Sequence, residues 1–329
     1  MKVTEQEIRP EAIFNEYLEL TRKDIITYFE DSERSDFKCP ICDIVGDLWV
    51  EKNSFEYRKC PECLSIYVSP RPGKSAFDAY YTDSPSTKFW ATTFYKVTET
   101  ARREKLWKPK AQLIKEKIEK LQGDSAVKYI VDIGGGYGVF DEEILKIMDI
   151  ETIIIEPSIH LAEVCRQKQL TVLEKFMEDI SSGDLPEGRK CYVSFELFEH
   201  LHDPILFLTT VWKTMKSSDI FIFTTLSGMG VDIQILKENS KALSPPHHLN
   251  FMNPISISRL LPQIGFEVIE AITPGKLDLD ILKNNIHFLQ DAYWINFLEY
   301  ASEEQLSKMQ EFISVVGLSS HMMITCKKT

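Results

Sequence analysis

Four of the five residues at 134–138 are glycine, in the stretch Asp132-Ile133-Gly134-Gly135-Gly136-Tyr137-Gly138, directly behind the apolar run YIV. A plain strand-to-helix turn needs one glycine. Four let the backbone take positive φ and keep Cβ atoms away from a ligand lying on the main chain. The following GVFDEEILKIM has helical spacing, so the loop ends at free helical N–H groups. The chain beyond about residue 127 repeats this strand–turn–helix order. VKYIVDI, ETIIIEP, LTVLEKF, CYVSFEL and DIFIFTTL read as short apolar strands, the first of them buried, with SIHLAEVCRQKQ and DPILFLTTVWKTMK as helices between them. That alternation predicts an α/β fold: a Rossmann-like, doubly wound, mostly parallel sheet with helices on both faces. GFEVIEAITP and HMMITCKKT add two late strands, the last expected to be antiparallel. A helical insert at 277–312 separates them.

Earlier in the chain the pattern is different. Cys39-Pro40-Ile41-Cys42 and Cys60-Pro61-Glu62-Cys63 are CxxC pairs separated by 17 residues. Each pair can turn two thiolates toward one point, and two such turns make a tetrahedral S₄ site that suits Zn²⁺. A rubredoxin-type iron centre would use the same ligands. Four thiolates leave no open position, so the expected role is structural. Some thirty residues cannot bury enough surface to fold unaided, and the metal supplies the difference. The chain therefore reads as an N-terminal helix (1–35), a zinc ribbon (36–74), a helical linker or lid broken near SPS and at Pro109 (75–122), and the α/β domain (123–329).

The formal net charge of −12 argues against a generic nucleic-acid binder, which would carry a basic face. No run approaches the roughly 18 apolar residues of a membrane span. The opening MKVTEQEIRPEAIF has no apolar signal core. Seven cysteines, four of them in tight pairs, fit a reducing compartment, and a cytoplasmic location is expected.

The glycine loop lacks the Gly-Lys-Ser/Thr of a P-loop and does not fit G-x-G-x-x-G, since the sixth position is Val139 or Asp141. Its D-x-G-x-G-x-G form resembles the first motif of class I S-adenosylmethionine-dependent methyltransferases. The resemblance spans about residues 100–275 and the last strand. It implies that Gly134, Gly136 and Gly138 pass under the methionine part of S-adenosylmethionine, with Asp132 supporting the loop and the amino group. It also implies that Glu156, closing the second strand, holds the ribose hydroxyls, that Asp179 accepts from the adenine amine, and that Phe195 and Glu196 border the cofactor.

Substrate in such sheets sits beyond the carboxyl ends of the strands. The stretch PPHHLNF, after the fifth strand, places His247 and His248 there, and histidine suits proton transfer near neutral pH. This stretch is similar to one in methyltransferases of sugar and surface-glycan pathways. Some sugar C-methyltransferases also begin with a Cys₄ ribbon, a P-R-P-like turn and a Tyr-Tyr pair, here SPRPGKSAFDAYY with Tyr80 and Tyr81. The resemblance implies His248 as base, with His247 standing where those enzymes carry Glu. Tyr80 and Tyr81 are candidates for the substrate mouth, with core packing the alternative. Anchoring of the loop is the alternative for the two histidines. His200 and His202 read as structural, beside an Asp203 that caps the next helix. The expected substrate is a small polar molecule, with a nucleotide-linked sugar or surface-glycan unit as best guess. The alternatives are an RNA or protein methyltransferase that reads through its ribbon, and a cofactor-binding scaffold without turnover.

Overall fold

The computed structural model describes residues 4–121, 123 and 125–328. The first three residues of the opening stretch read above, and residues 122 and 124 at the expected linker boundary, lie outside the described residues. The strands are β1 (Asp47–Lys52), β2 (Phe55–Lys59), β3 (Ile66–Val68), β4 (Tyr129–Ile133), β5 (Glu151–Ile155), β6 (Thr171–Leu173), β7 (Lys190–Phe195), β8 (Ile220–Leu226), β9 (Asn250–Phe251), β10 (Phe266–Ile272) and β11 (His321–Lys328). The chain forms two compact units. One holds the residues up to Arg102 with Leu226–Ser256 and Ile272–Met322, and the other holds Arg103–Thr225, Ile257–Ala271 and the chain from Met323.

The second unit is built on a seven-stranded sheet of order β10-β11-β8-β7-β4-β5-β6. The pairs β8–β7, β7–β4, β4–β5 and β5–β6 are parallel, and the sheet is Rossmann-like with the antiparallel strands last. The apolar runs of β4, β5, β7 and β8 are buried on both faces, as a covered parallel sheet requires, while β6 at the sheet edge has Thr171 exposed and Val172 and Leu173 half-buried. Ile130, Val193 and Ile222 pack against Ala111, Ile114 and Ile118 of helix Lys108–Leu121 and against Phe140 and Ile144 of helix Val139–Leu145. Strand order reverses between β4 and β7, and the crevice at the carboxyl ends of these two strands is the usual ligand position.

Pro109 does not break the helical segment, contrary to expectation. It is the second residue of helix Lys108–Leu121, directly after a π-helical turn at Arg103–Trp107. The wider turn accommodates a residue that cannot donate an i→i−4 bond.

The first unit contains a four-stranded antiparallel sheet of order β9-β3-β2-β1. Asn53 and Ser54 join β1 to β2 with φ of 49° and 60°, the two left-handed residues of a type I′ hairpin turn. Helix Glu11–Phe29 covers this sheet with Ile25 and Phe29 beside Phe55, Tyr57, Ile66 and Phe251. Its buried stripe runs through Phe14, Tyr17, Thr21, Ile25 and Phe29, while Ile13 and Leu20 are half-buried. The insert forms helices Asp278–Asn284, Ala292–Tyr300 and Glu303–Val315 around Leu279, Leu282, Leu298 and Ile313. No helix of the described residues is long and apolar enough to cross a membrane.

Candidate functional site

The two CPxC turns fold alike. In the first, Cys39 N–H donates to Ile44 C=O and Asp43 N–H to Cys39 C=O, each at 2.9 Å. In the second, Cys60 N–H donates to Ser65 C=O at 2.9 Å and Leu64 N–H to Cys60 C=O at 3.0 Å. The residue after each pair is left-handed, with φ of 52° at Asp43 and 60° at Leu64. These folds bring the Sγ atoms of Cys39, Cys42, Cys60 and Cys63 within 4.8 Å of one another. A tetrahedral site with Zn–S bonds of about 2.3 Å has S···S edges of about 3.8 Å, so the donor set fits zinc in type and spacing. Gly46 N–H donates to Tyr67 Oη at 2.7 Å, and that hydroxyl donates to Ile44 C=O at 3.1 Å, bracing the first turn against β3.

β9 is a segment of PPHHLNF, paired to the ribbon with Asn250 opposite Tyr67 and Phe251 opposite Ile66. Three side chains strengthen the tie. Tyr57 Oη donates to His248 C=O at 2.9 Å. Arg71, buried and stacked 3.6 Å above the Phe37 ring, donates to Leu249 C=O at 3.3 Å and to Asn250 Oδ1 at 2.9 Å. Asn253 Nδ2 donates to Cys63 C=O, inside the second turn, at 2.8 Å. A two-residue strand has no periodicity to detect, and an arginine between two prolines reads as surface, so the sequence did not signal this tie.

The histidines differ in their surroundings. His247 is buried, and its Nε2 shares a 2.6 Å hydrogen bond with the hydroxyl of Tyr80, which also lies 2.9 Å from Ser86 Oγ. Burial, with His248 nearby, lowers the His247 pKa to about 3. His248 is half-buried, with Nδ1 2.6 Å from Ala242 C=O. A carbonyl only accepts, so Nδ1 carries the proton and Nε2 is the basic nitrogen. Tyr80 is fully buried, while Tyr81, 6.0 Å from His247 between ring centroids, is 43% exposed.

In the second unit the glycine loop joins β4 to helix Val139–Leu145. Gly136 has φ of 57° and faces open space, while Gly138, with φ of 65°, leaves no room for a Cβ, which would lie 2.4 Å from Leu170 Cδ1. Gly136 N–H donates to Glu156 Oε2 at 3.1 Å, and Ser158 N–H to Glu156 Oε1 at 2.9 Å. Loop and carboxylate therefore meet at adjacent strand tips. Burial raises the Glu156 pKa against these two bonds. Asp132 is buried beneath the loop, and its Oδ1 has no hydrogen-bond partner among the described residues. Phe195 packs on Phe140 at 4.8 Å, with Lys110 Nζ 4.5 Å above its ring. Asp179 is the exposed end of a turn at Met177–Asp179 whose Met177 is buried, and among the described residues it takes no hydrogen bond from the glycine loop. Asp203 caps helix Pro204–Thr214, accepting from Ile205 and Leu206 N–H at 3.0 and 2.9 Å.

Two further carboxyls carry no signal in the sequence, Glu199 in a short turn after β7 and Asp141 inside an ordinary helical pattern. Glu199, fully buried and near Glu196, has its pKa raised to about 8 and accepts from Thr225 Oγ1 at 2.9 Å. Asp141 is fully buried, and burial raises its pKa to about 6. Burial and the neighbouring Asp141 push Asp132 well above the carboxylate range. A carboxyl with a raised folded pKa weakens the fold once it must ionise. Asp141→Asn is therefore expected to raise stability above pH 6 by on the order of 1 kcal/mol. The gain should fade between about pH 6 and the ordinary carboxylate pKa near 4. Thermal melts across that range check it. A variant no more stable than the parent at pH 7.5 contradicts the account.

A family model described as a methyltransferase domain matches residues 103–271. No curated protein matches the chain. Among solved structures the chain is similar to a SAM dependent methyltransferase from Archaeoglobus fulgidus, at 18% identity over 71% of this chain and 100% of that one, with a TM-score of 0.46. It is similar to the plantazolicin methyltransferase BpumL in complex with SAH, at 13% identity over 77% and 93%, with a TM-score of 0.49. A third is the O-methyltransferase from a trans-AT PKS multienzyme of Brevibacillus brevis in complex with S-adenosyl-L-homocysteine, at 14% identity over 71% and 76%, with a TM-score of 0.46.

Proposed function

This chain belongs to the methyltransferase domain family, and on that premise we propose that it transfers the methyl group of S-adenosylmethionine to an oxygen or carbon of a small polar acceptor. A nucleotide-linked sugar or surface-glycan unit is the favoured class. The observation that carries the reading is the meeting of Gly136 and Glu156 at the tips of β4 and β5. Glu156 would hold the ribose diol by two accepted hydrogen bonds, and the Gly134–Gly138 backbone would carry the methionine part. The unpartnered Asp132 Oδ1 suits the amino group, and Phe195 and Asp179 would border the adenosine. Once bound, S-adenosylmethionine supplies an already activated methyl group, so the protein's task is alignment and removal of the acceptor's proton. His248 Nε2 is the nitrogen we assign to that proton. His247 is too weak a base near neutral pH and instead anchors Tyr80. Cys39, Cys42, Cys60 and Cys63 would hold zinc, which would brace the ribbon to which the His248 segment is paired.

Several of the ribbon's cations are already engaged, which counts against nucleic acid as the acceptor. Lys38 pairs with Asp43, Arg58 with Glu56 and Lys74 with Asp78, and Arg71 is buried.

Calorimetry tests the cofactor assignment. The protein is expected to bind S-adenosylmethionine and its demethylated product, and Glu156→Gln to weaken both by about ten- to hundred-fold, the worth of charge-assisted hydrogen bonds. No binding of either by the parent protein defeats the proposal. Binding without labelled methyl transfer into any fraction of a cell extract favours a scaffold instead.

A further inference from the structure

The chain is strongly acidic, yet one cleft in the first unit is cationic. It is small, opens to solvent, and is lined by Arg22, Lys52 and Lys241 with Thr21, Asn53 and Ser244 between them. Leu18, Leu243 and Pro245 complete the wall. The acids near these cations are Glu19, which pairs with Arg22 at 3.0 Å and is itself 55% exposed, and Glu238, which acts on Lys52. Lys52 is half-buried with its Nζ donating to Ser240 C=O at 2.7 Å. Burial and the charge of Arg22 lower its pKa to about 8. An exposed lysine would escape that cost by swinging into water. This one is held in place beside a second cation, an arrangement that an anionic ligand relieves.

The cleft shares its wall with the candidate base. Lys241, Leu243, Ser244 and Pro245 belong to the turn whose Ala242 carbonyl accepts the hydrogen bond from His248 Nδ1–H. Ser244 C=O accepts from the His247 and His248 N–H groups at 3.0 and 3.1 Å. Whatever occupies the cleft therefore rests on the same rigid loop as the His248 imidazole.

We infer that the cleft of Arg22, Lys52 and Lys241 is a phosphoryl-binding subsite for the acceptor, so that the molecule methylated carries a phosphate or diphosphate. Arg22 offers a planar fork, the two lysines offer point charges, and Asn53 and Ser244 offer neutral donors, a set that matches phosphoryl oxygens. The inference deepens the methyl-transfer reading and rests on it for the word acceptor. The subsite itself stands on the cleft alone.

Calorimetry with inorganic pyrophosphate on the full-length, zinc-loaded protein tests it at pH 7.5 and low salt. Lys52→Gln keeps a donor for the Ser240 carbonyl, and Lys241→Gln leaves that bond untouched should the first variant fold poorly. Lys308→Gln, an exposed lysine in the insert, controls for net charge. Pyrophosphate is expected to bind the parent and Lys308→Gln alike, and at least about ten-fold more weakly to either cleft variant. Equal affinity across all four proteins, or no binding to the parent at millimolar pyrophosphate, overturns the subsite. Binding of S-adenosylhomocysteine is measured on the same samples. Its absence would defeat the methyl-transfer reading while leaving the pyrophosphate result to decide the cleft.

Discussion

Replacing Cys60 with serine is expected to release the metal, unfold the ribbon between about residues 37 and 72, and take the His248 segment with it. Zinc in a Cys₄ site contributes about 10–16 kcal/mol, as much as the whole stability of a typical domain. The ribbon's own apolar cluster around its cysteines is small, with Tyr67 and the half-buried Phe37, Ile41 and Ile44 as its main members. Nothing in it replaces the metal. The effect spreads because the PPHHLNF segment borrows its order from the ribbon. β9 has two residues and no other strand partner among the described residues, and only Met252 beyond it makes a bridge elsewhere, to Ser227. The His248 carbonyl is tied to Tyr57, the Leu249 carbonyl to Arg71, and Asn253 to the Cys63 carbonyl within the second CPxC turn. Misplacing a catalytic group by about 1 Å can cost 10²-fold, so methyl transfer should fall by at least that much. Cofactor affinity should hold, since Asp132, Gly136 and Glu156 lie in the other unit. Metal analysis, limited trypsinolysis and calorimetry read the three consequences separately. A metal-free variant that stays resistant to trypsin and retains its rate contradicts this account.

Removing the imidazole of His248 should lower the rate of methyl transfer by about 10²–10⁴-fold, the range for a lost general base. The Nδ1 contact to Ala242 C=O fixes the tautomer, so the whole effect should fall on Nε2 chemistry. His248→Ala should leave cofactor affinity unchanged and lower kcat more than it raises KM. Tyr80→Phe removes only the hydroxyl shared with His247 and Ser86, and should act chiefly on stability. A His248→Ala protein of full activity would reduce the histidine to an anchor of its loop.

The α/β alternation was readable because buried parallel strands are written as continuous apolar runs, and β4, β5, β7 and β8 all fall within such runs. The Cys pairs were readable because CxxC can close one turn whatever surrounds it, and four Sγ atoms do converge. The glycine loop announced a close approach through its missing side chains. The meeting of Gly136 with Glu156, twenty residues apart, follows from the parallel pairing of β4 with β5, which the order of strands and helices already implies.

Other features depended on distant segments coming together. Asp141 looks like a surface residue of an amphipathic helix, and only packing shows it sealed beside Asp132. Pro109 signals a break when read locally, and only the π-turn before it shows how the helix absorbs it. Arg71, Tyr57 and Asn253 carry no local pattern, because hydrogen bonds across about 190 positions of chain leave no periodicity in either partner. Local spacing thus determined the sheet, the loop and the metal turns, since each follows from sterics within a few residues. The tertiary structure alone decided that the histidine segment becomes the ribbon's fourth strand and that three cations share one cleft. Backbone groups left over at a short sheet edge, and charges left over on a folded surface, find their partners only once the chain has closed.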